Sequence, residues 1–299
     1  MINETYRGQV SLLLSVLPEI AKEKCFALPG GTAINLFVRE MARLSVDIDL
    51  TYLPIEDRQT SLDNIADALE QIKKRVFSIL PKATVQHQKE ISKLQISNRG
   101  YQIKVEVNQT NRGVFSGPIE SQLCETAQDQ FDAFCSIAVV PLSQLYGGKI
   151  CAALDRQHPR DLFDVKYLLQ NEGISNEIKK GLLLSILSSN RPVHELLQTN
   201  LQDQQTTFEN QFSGMTVEPF TYEDFEITRK QLITKIFESW TDSDKQFLIG
   251  FLKLEPDWGI YDFERFPSVQ WKIQNLTKLK HDNPYKHREQ VELLMEVLK

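Results

Sequence analysis

Cysteine is scarce: four residues in 299, at Cys25, Cys124, Cys135 and Cys151, with no Cys-x-x-Cys spacing. They are expected to be reduced core or surface thiols of a cytoplasmic protein. No run of eighteen apolar residues occurs, which excludes a membrane-spanning helix. Met1 to Gln9 is polar and mixed in charge, without the apolar centre of a signal peptide. Basic charge is also in deficit. Lys plus Arg number 34 against 40 Asp plus Glu, a net of -6. This excludes a histone-like binder of nucleic acid but leaves room for a local basic groove. No internal repeat or low-complexity run is visible.

What is present is an ordinary globular composition, 41% hydrophobic and 25% charged, with enough chain for about two domains. The first part, residues 1–170, is almost neutral, and 171–299 carries most of the acidity. Within the latter, Arg265 to Lys299 holds seven basic and four acidic residues. The first part alternates element types. Gly8 to Leu17 reads as a helix stopped near Pro18. Pro29-Gly30-Gly31 reads as a break, with Thr32 capping a helix from Ala33 to about Met41. Leu44 to Leu53 reads as a strand, and a long helix begins at Thr60 or Ser61. Thr84 to His87, Ile91 to Ser97 and Tyr101 to Val107 read as strands, with Asn98-Arg99-Gly100 as the turn joining the last two. Ile137 to Val140 is a short strand-like run. Helices are expected over Ser143 to Leu154, Pro159 to Leu169, Ser175 to Ser189, Tyr222 to Glu238, Ser243 to Leu252 and Pro284 to Leu298. Gln198 to Ser213 reads as a polar loop. The fold class is therefore α/β (α+β), a core with a mixed sheet over 1–170 and a mostly helical region over 171–299.

Candidate chemistry begins with Asp47-Ile48-Asp49. The two-residue period of a strand puts both carboxylates on one face, with roughly 7 Å between their Cα atoms. Such a pair suits a hard divalent cation, which takes carboxylate and phosphate oxygens. The same pattern also suits a half-exposed strand with a polar outer face. Glu106 lies in a second alternating strand and would join the pair if the strands are neighbours. Otherwise Lys104 forms a cross-strand ion pair with a carboxylate. Gly30-Gly31 and Thr32 offer a tight turn and backbone N–H groups for phosphate, and Ser45 faces the same way as the aspartates. Gly147-Gly148-Lys149 opens or interrupts a helix, and Lys149 can meet phosphates. In Arg160-Asp161-Leu162-Phe163-Asp164, Asp161 can position Lys149 or Arg160, whereas Asp164 reads as an acid favouring a helix N-terminus.

Together and in this order, these stretches resemble a known family. They are Pro29 to Leu36, Arg43 to Leu50, Ile103 to Glu106, Gly148 to Leu154 and Arg160 to Asp164, with a late match at Pro256-Asp257-Trp258 and Trp271 to Leu276. The chain resembles the nucleotidyltransferase toxins of type IV abortive-infection systems, the AbiEii/AbiGii toxins of the DNA-polymerase-β-like nucleotidyltransferase superfamily. The resemblance implies transfer of NMP from an NTP to an acceptor with release of pyrophosphate. It implies Asp47, Asp49 and Glu106 as ligands of Mg²⁺, with Mn²⁺ as an alternative. It implies Ser45 and Lys149 at the nucleotide, and Asp161 as a further essential acid. It also implies transfer RNA acceptor ends, or other RNA, as acceptor and a winged-helix antitoxin as partner. Two departures stand out: Leu44 occupies the place of the superfamily's glycine before the serine, and Arg160 the place of a lysine. A protein or small-molecule acceptor, or a preference for GTP, fits the same fold. A non-catalytic interaction protein would be expected to have lost the carboxylates. The tail from Arg265 to Lys286 interleaves basic residues with Phe266, Trp271 and Tyr285, a pattern for RNA. Core positions for Phe266 and Trp271 are the competing reading.

Overall fold

The computed structural model describes residues 4–299, so Met1, Ile2 and Asn3 of the polar N-terminal stretch lie outside the described residues. The chain divides into two compact units, 1–141 with 209–220, and 142–208 with 221–299. The mixed α/β core followed by a largely helical region is as the sequence predicts.

The first unit contains strands β1 (Phe26–Ala27), β2 (Asp47–Tyr52), β3 (Thr84–Gln88), β4 (Lys93–Asn98) and β5 (Tyr101–Val107), and a ribbon of β6 (Ile119–Gln122) and β7 (Ser136–Val139). The sheet order is β1-β2-β5-β4-β3. β2 and β5 run parallel, and the other pairs run antiparallel. Alternation sets the two faces. Ile48, Leu50, Ile103, Val105, Leu94 and Ile96 are buried. Helices α1 (Glu4–Ile20) and α3 (Arg58–Ile79) pack on this sheet. Arg99 and Gly100 join β4 to β5 with φ of 50° and 84°, the pair of positive values that a two-residue hairpin turn needs. Asp57 caps α3 by accepting from Thr60 N at 3.0 Å, just before the predicted start.

Three local expectations need correction. Pro18 lies inside α1 rather than ending it, because burial of Leu17 and Ile20 carries the helix one further turn. Thr32 is not a cap. Helix α2 (Gly30–Ala33) begins two residues earlier and continues as a π turn over Ile34–Val38. Ser45 precedes β2 rather than lying within it. The unit also includes α4 (Glu125–Phe131).

The second unit is helical: α5 (Leu142–Arg156), α6 (Pro159–Asn171), α7 (Asn176–Ser188) and α8 (Val193–Leu197), then α9 (Gln205–Gln211), which runs into the 209–220 segment. After that segment come α10 (Tyr222–Ser239), α11 (Asp242–Lys253), α12 (Pro267–Asp282) and α13 (Pro284–Val297). The segment 198–213 is thus not all loop. Gly147 and Gly148 do not interrupt α5. They lie within it, and Gly147 faces the backbone of Gly181 on α7 so closely that a methyl group would overlap it. Glycine here serves helix approach, around which Leu145, Ile150, Leu182 and Ile186 are buried.

Candidate functional site

In the first unit, Asp47 and Asp49 share one face of β2. Register places Asp49 directly across from Glu106 on β5, and Asp47 across from Lys104. Their neighbours Ile48 and Leu50, opposite Val105 and Val107, are buried on the other face. The three carboxylates therefore share a sheet face, as the strand parity predicts. Glu106 forms its ion pair with Lys93, its partner across β4, rather than with Lys104. Its side chain is 45% exposed, so the pair is a weak surface one.

The Pro29-Gly30-Gly31 turn packs beside these aspartates. Gly30 has φ of +72°, and a Cβ there would sit 3.3 Å from Asp49 Oδ2. The absent side chain leaves the carboxylate its space. Thr32 is buried, and its hydroxyl donates to the Asp47 carbonyl at 2.5 Å. Its single proton is used there, so at the 2.9 Å contact with Ser45 Oγ it is the serine that donates. Thr32 thereby ties the turn to the first residue of β2. Asn35, also buried, completes the brace. Its Nδ2 donates to Gly31 O at 3.0 Å, and its Oδ1 accepts from Arg43 N at 3.1 Å. The guanidinium of Arg43 lies against Gly31, where a Cβ would overlap it. Leu44 N donates to Met215 O at 2.8 Å, so the 209–220 segment holds the strand's approach.

In the second unit, Lys149 is buried between two carboxylates, 2.9 Å from Asp161 Oδ1 and 3.0 Å from Asp164 Oδ2. Asp161 also accepts from Arg156 Nε at 2.6 Å and from its Nη2 at 3.0 Å. Burial alone would raise the Asp161 pKa. The ammonium of Lys149 and the fork of Arg156 overcome that and hold the carboxyl well below the usual carboxylate range. Asp161 thus positions Lys149, as expected, but its second cation is Arg156 and not Arg160. Asp164 does more than favour a helix start, because it is buried and paired with Lys149. The backbone N–H of Arg160 donates to His158 Nδ1 at 3.1 Å, forming the cap of α6.

The sequence marks Arg156 only as the start of the basic stretch that runs to Arg160, and it does not mark Asn35. A seven-residue spacing from Lys149, two turns along α5, carries the signal for Arg156. Nothing local marks Asn35, whose partners come from the turn before it and the strand approach after it. The side chain of Arg156 is 60% exposed where that of Lys149 is 6%. Solvent therefore meets the arginine of this cluster first.

Among the described residues, no group of three or more His, Cys, Asp and Glu side chains is placed to hold a metal ion. The donor set that does fit a hard cation is the Asp47–Asp49 pair, two oxygen donors beside a turn whose missing Cβ keeps Asp49 accessible, with phosphate oxygens left to complete the shell. Nor is any helix of the described residues long and apolar enough to cross a membrane. Burial pushes Cys25 and Cys135 up to about 11 and Cys151 to about 12.

The chain belongs to the family described as nucleotidyl transferase AbiEii toxin of type IV toxin–antitoxin systems, whose profile matches residues 11–275. Membership makes it a nucleotidyltransferase toxin by family and implies an antitoxin partner. In fold it is similar to MenT4, a nucleotidyltransferase toxin of Mycobacterium tuberculosis H37Rv. The TM-score is 0.59 at 12% identity, over 99% of this chain and 94% of that one. No curated protein matches in sequence.

Proposed function

We propose that this protein transfers NMP from an NTP to the acceptor end of transfer RNA in a metal-dependent reaction, releasing pyrophosphate. The acceptor hydroxyl gives up its proton to solvent, its oxygen bonds to the α-phosphorus, and the bond from that phosphorus to the α–β bridging oxygen breaks, that oxygen leaving as part of pyrophosphate. The observation that carries the reading is the pair Asp47 and Asp49 on one face of β2, with Asp49 opposite Glu106 and beside Gly30. Mg²⁺ or Mn²⁺ held by the two aspartates would activate the attacking oxygen and stabilise charge on the leaving group. Asp49 would supply one donor oxygen and Asp47 the other, while Thr32 fixes the backbone from which Asp47 projects. Glu106, whose exposed ion pair with Lys93 is worth about 1 kcal/mol or less, would serve as third ligand. Gly30 and Gly31 contact donor phosphates through backbone N–H groups, and Ser45 joins them when its hydroxyl turns from Thr32 to a phosphate oxygen.

The second unit carries the Lys149–Asp161–Arg156 cluster. In this reading Asp161 orients both cations and Arg156, with Arg160, offers phosphate contacts to solvent. Lys149 reaches phosphate by exchanging one of its two aspartates. The catalytic region spans 1–170 and therefore takes in α5 and α6, with 171–299 as the helical domain. The antitoxin is taken to be a winged-helix protein and the compartment the cytoplasm.

The test is incubation of purified protein with each labelled NTP, Mg²⁺, and either cell RNA or cell protein. Label in transfer RNA, abolished in Asp49→Ala without loss of folding, supports the reading. Label in protein alone overturns the acceptor, and equal labelling by Asp49→Ala overturns the mechanism.

A further inference from the structure

The hairpin of α12 and α13 turns on one residue. Asn283 stands between Asp282 and Pro284, and its Oδ1 accepts from Lys286 N at 3.0 Å, capping α13. The turn is thus a fixed element. Around it, residues 278–288 hold Lys278, Lys280, Lys286 and Arg288 against Asp282 as the one acid, 4 − 1 = +3, in a chain whose net charge is -6. Cations on exposed helices are commonly matched by acids one turn away. Here Asp282 lies four residues after Lys278, yet its carboxylate is engaged by His281 Nδ1 at 2.8 Å, and Glu289 and Glu292, one turn beyond Lys286 and Arg288, are acids available to those two cations. Among the described residues, none of the four cations makes an ion pair and all four are exposed, with Lys280 Nζ making one long hydrogen bond, 3.5 Å to Lys253 O.

A solvated charge run would show the same cations. The aromatic residues separate the two readings. Tyr285, at the turn itself, is 71% exposed, and Trp271, two turns before Lys278 on the same face of α12, is 50% exposed. Trp271 is therefore not a core residue, whereas Phe266 is, at 1%. Gln274 and Asn275, between Trp271 and Lys278, are exposed amides able to bond base edges or ribose. Unpaired cations interleaved with exposed aromatic faces and amides match a strand of phosphates with unstacked bases. A lipid surface would instead require a continuous apolar face, and this turn carries Asp282, Asn283 and His281.

We infer that the α12–α13 turn is a docking surface for single-stranded RNA, with Lys278, Lys280, Lys286 and Arg288 on the phosphates and Tyr285 stacked on a base. The choice of RNA over other polyanions rests on the acceptor proposed above. The surface itself rests on the charge and exposure.

The experiment is fluorescence anisotropy of the full chain with a labelled single-stranded RNA, from 50 to 200 mM salt. Four phosphate contacts give a log–log slope of about −2.8, at ~0.7 per contact. Lys278→Gln/Lys286→Gln should bind more weakly, with the slope reduced to about −1.4. Tyr285→Ala should bind about tenfold more weakly with the slope unchanged, as loss of a stacked base predicts. Lys24→Gln/Lys230→Gln, which makes the same charge change elsewhere, should alter neither, and circular dichroism checks the fold of each. An unchanged slope in Lys278→Gln/Lys286→Gln overturns the inference, as does binding to anionic vesicles without binding to RNA. The two readings fail separately. RNA bound as predicted but never labelled removes the acceptor and leaves the surface. RNA labelled with the slope unmoved removes the surface and leaves the acceptor.

Discussion

Replacing Gly30 with alanine tests whether the turn before β2 acts on the aspartates or merely connects elements. Gly30 has φ of +72°, a conformation that costs an L-residue about 1–2 kcal/mol. Reduced freedom of the unfolded chain returns roughly 0.4–1 kcal/mol, so the net stability loss is about 1 kcal/mol. The second effect is local. The new Cβ stands 3.3 Å from Asp49 Oδ2, and the carboxylate must give by a few tenths of an ångström. A displacement of ~1 Å at a reacting centre is worth about a hundredfold, so a shift of this size is expected to lower kcat for nucleotidyl transfer about tenfold. Gly100 provides the comparison, with φ of +84° and nothing within 4 Å of its added Cβ. Gly100→Ala should show a similar loss in denaturant unfolding with kcat unchanged. Equal kcat in the two variants would refute the reasoning, because backbone strain alone would then account for Gly30.

Three further predictions concern the buried charges and the thiols. Lys149→Met should destabilise the protein by about 3–5 kcal/mol in urea unfolding, because it leaves two buried carboxylates with one arginine between them. The pH dependence has a definite sign. The folded pKa of Asp161 is depressed below its unfolded value of about 3.9, so the unfolded chain takes up the proton first. The stabilisation is present above that unfolded value and lost as pH falls through the lower folded one. Asp161→Asn should flatten this acid limb of stability against pH, and a limb of unchanged steepness would remove Asp161 from the cluster's energetics. Cys25, Cys135 and Cys151, with pKa values of about 11 to 12, hold roughly a thousandth or less of their thiol as thiolate at pH 8. Iodoacetamide should therefore modify the native protein far more slowly than the urea-unfolded chain, as read by mass spectrometry.

Much of the first unit was legible because local chemistry decides it. The Arg99-Gly100 turn, the alternation of β5 and the parity of Asp47 and Asp49 each follow from residues within one strand or turn. The parallel pairing of β2 with β5 does not, since some fifty residues separate them, and their register alone decides that Asp49 faces Glu106. Lys93 was missed as the partner of Glu106 for the same reason: it lies across β4, not along β5. Thr32 looked like a cap because threonine usually caps. Its hydroxyl is instead used on Asp47 and Ser45, partners brought by a different element. Asp164 looked like a helix-dipole acid because nothing in its own helix shows Lys149 approaching from α5. The sequence leaves Trp271 between a core and a surface reading, and only the packing of α12 shows which face remains in water.

The central claim is that Asp47 and Asp49 carry a metal-dependent nucleotidyl transfer. Its most direct test is incorporation of label from α-³²P-NTP into transfer RNA by wild type and by Asp47→Asn/Asp49→Asn, with Mg²⁺ and with EDTA, at equal folded protein by circular dichroism. The account predicts labelled RNA only for wild type with Mg²⁺. Labelling by the double variant, or by wild type in EDTA, would contradict it.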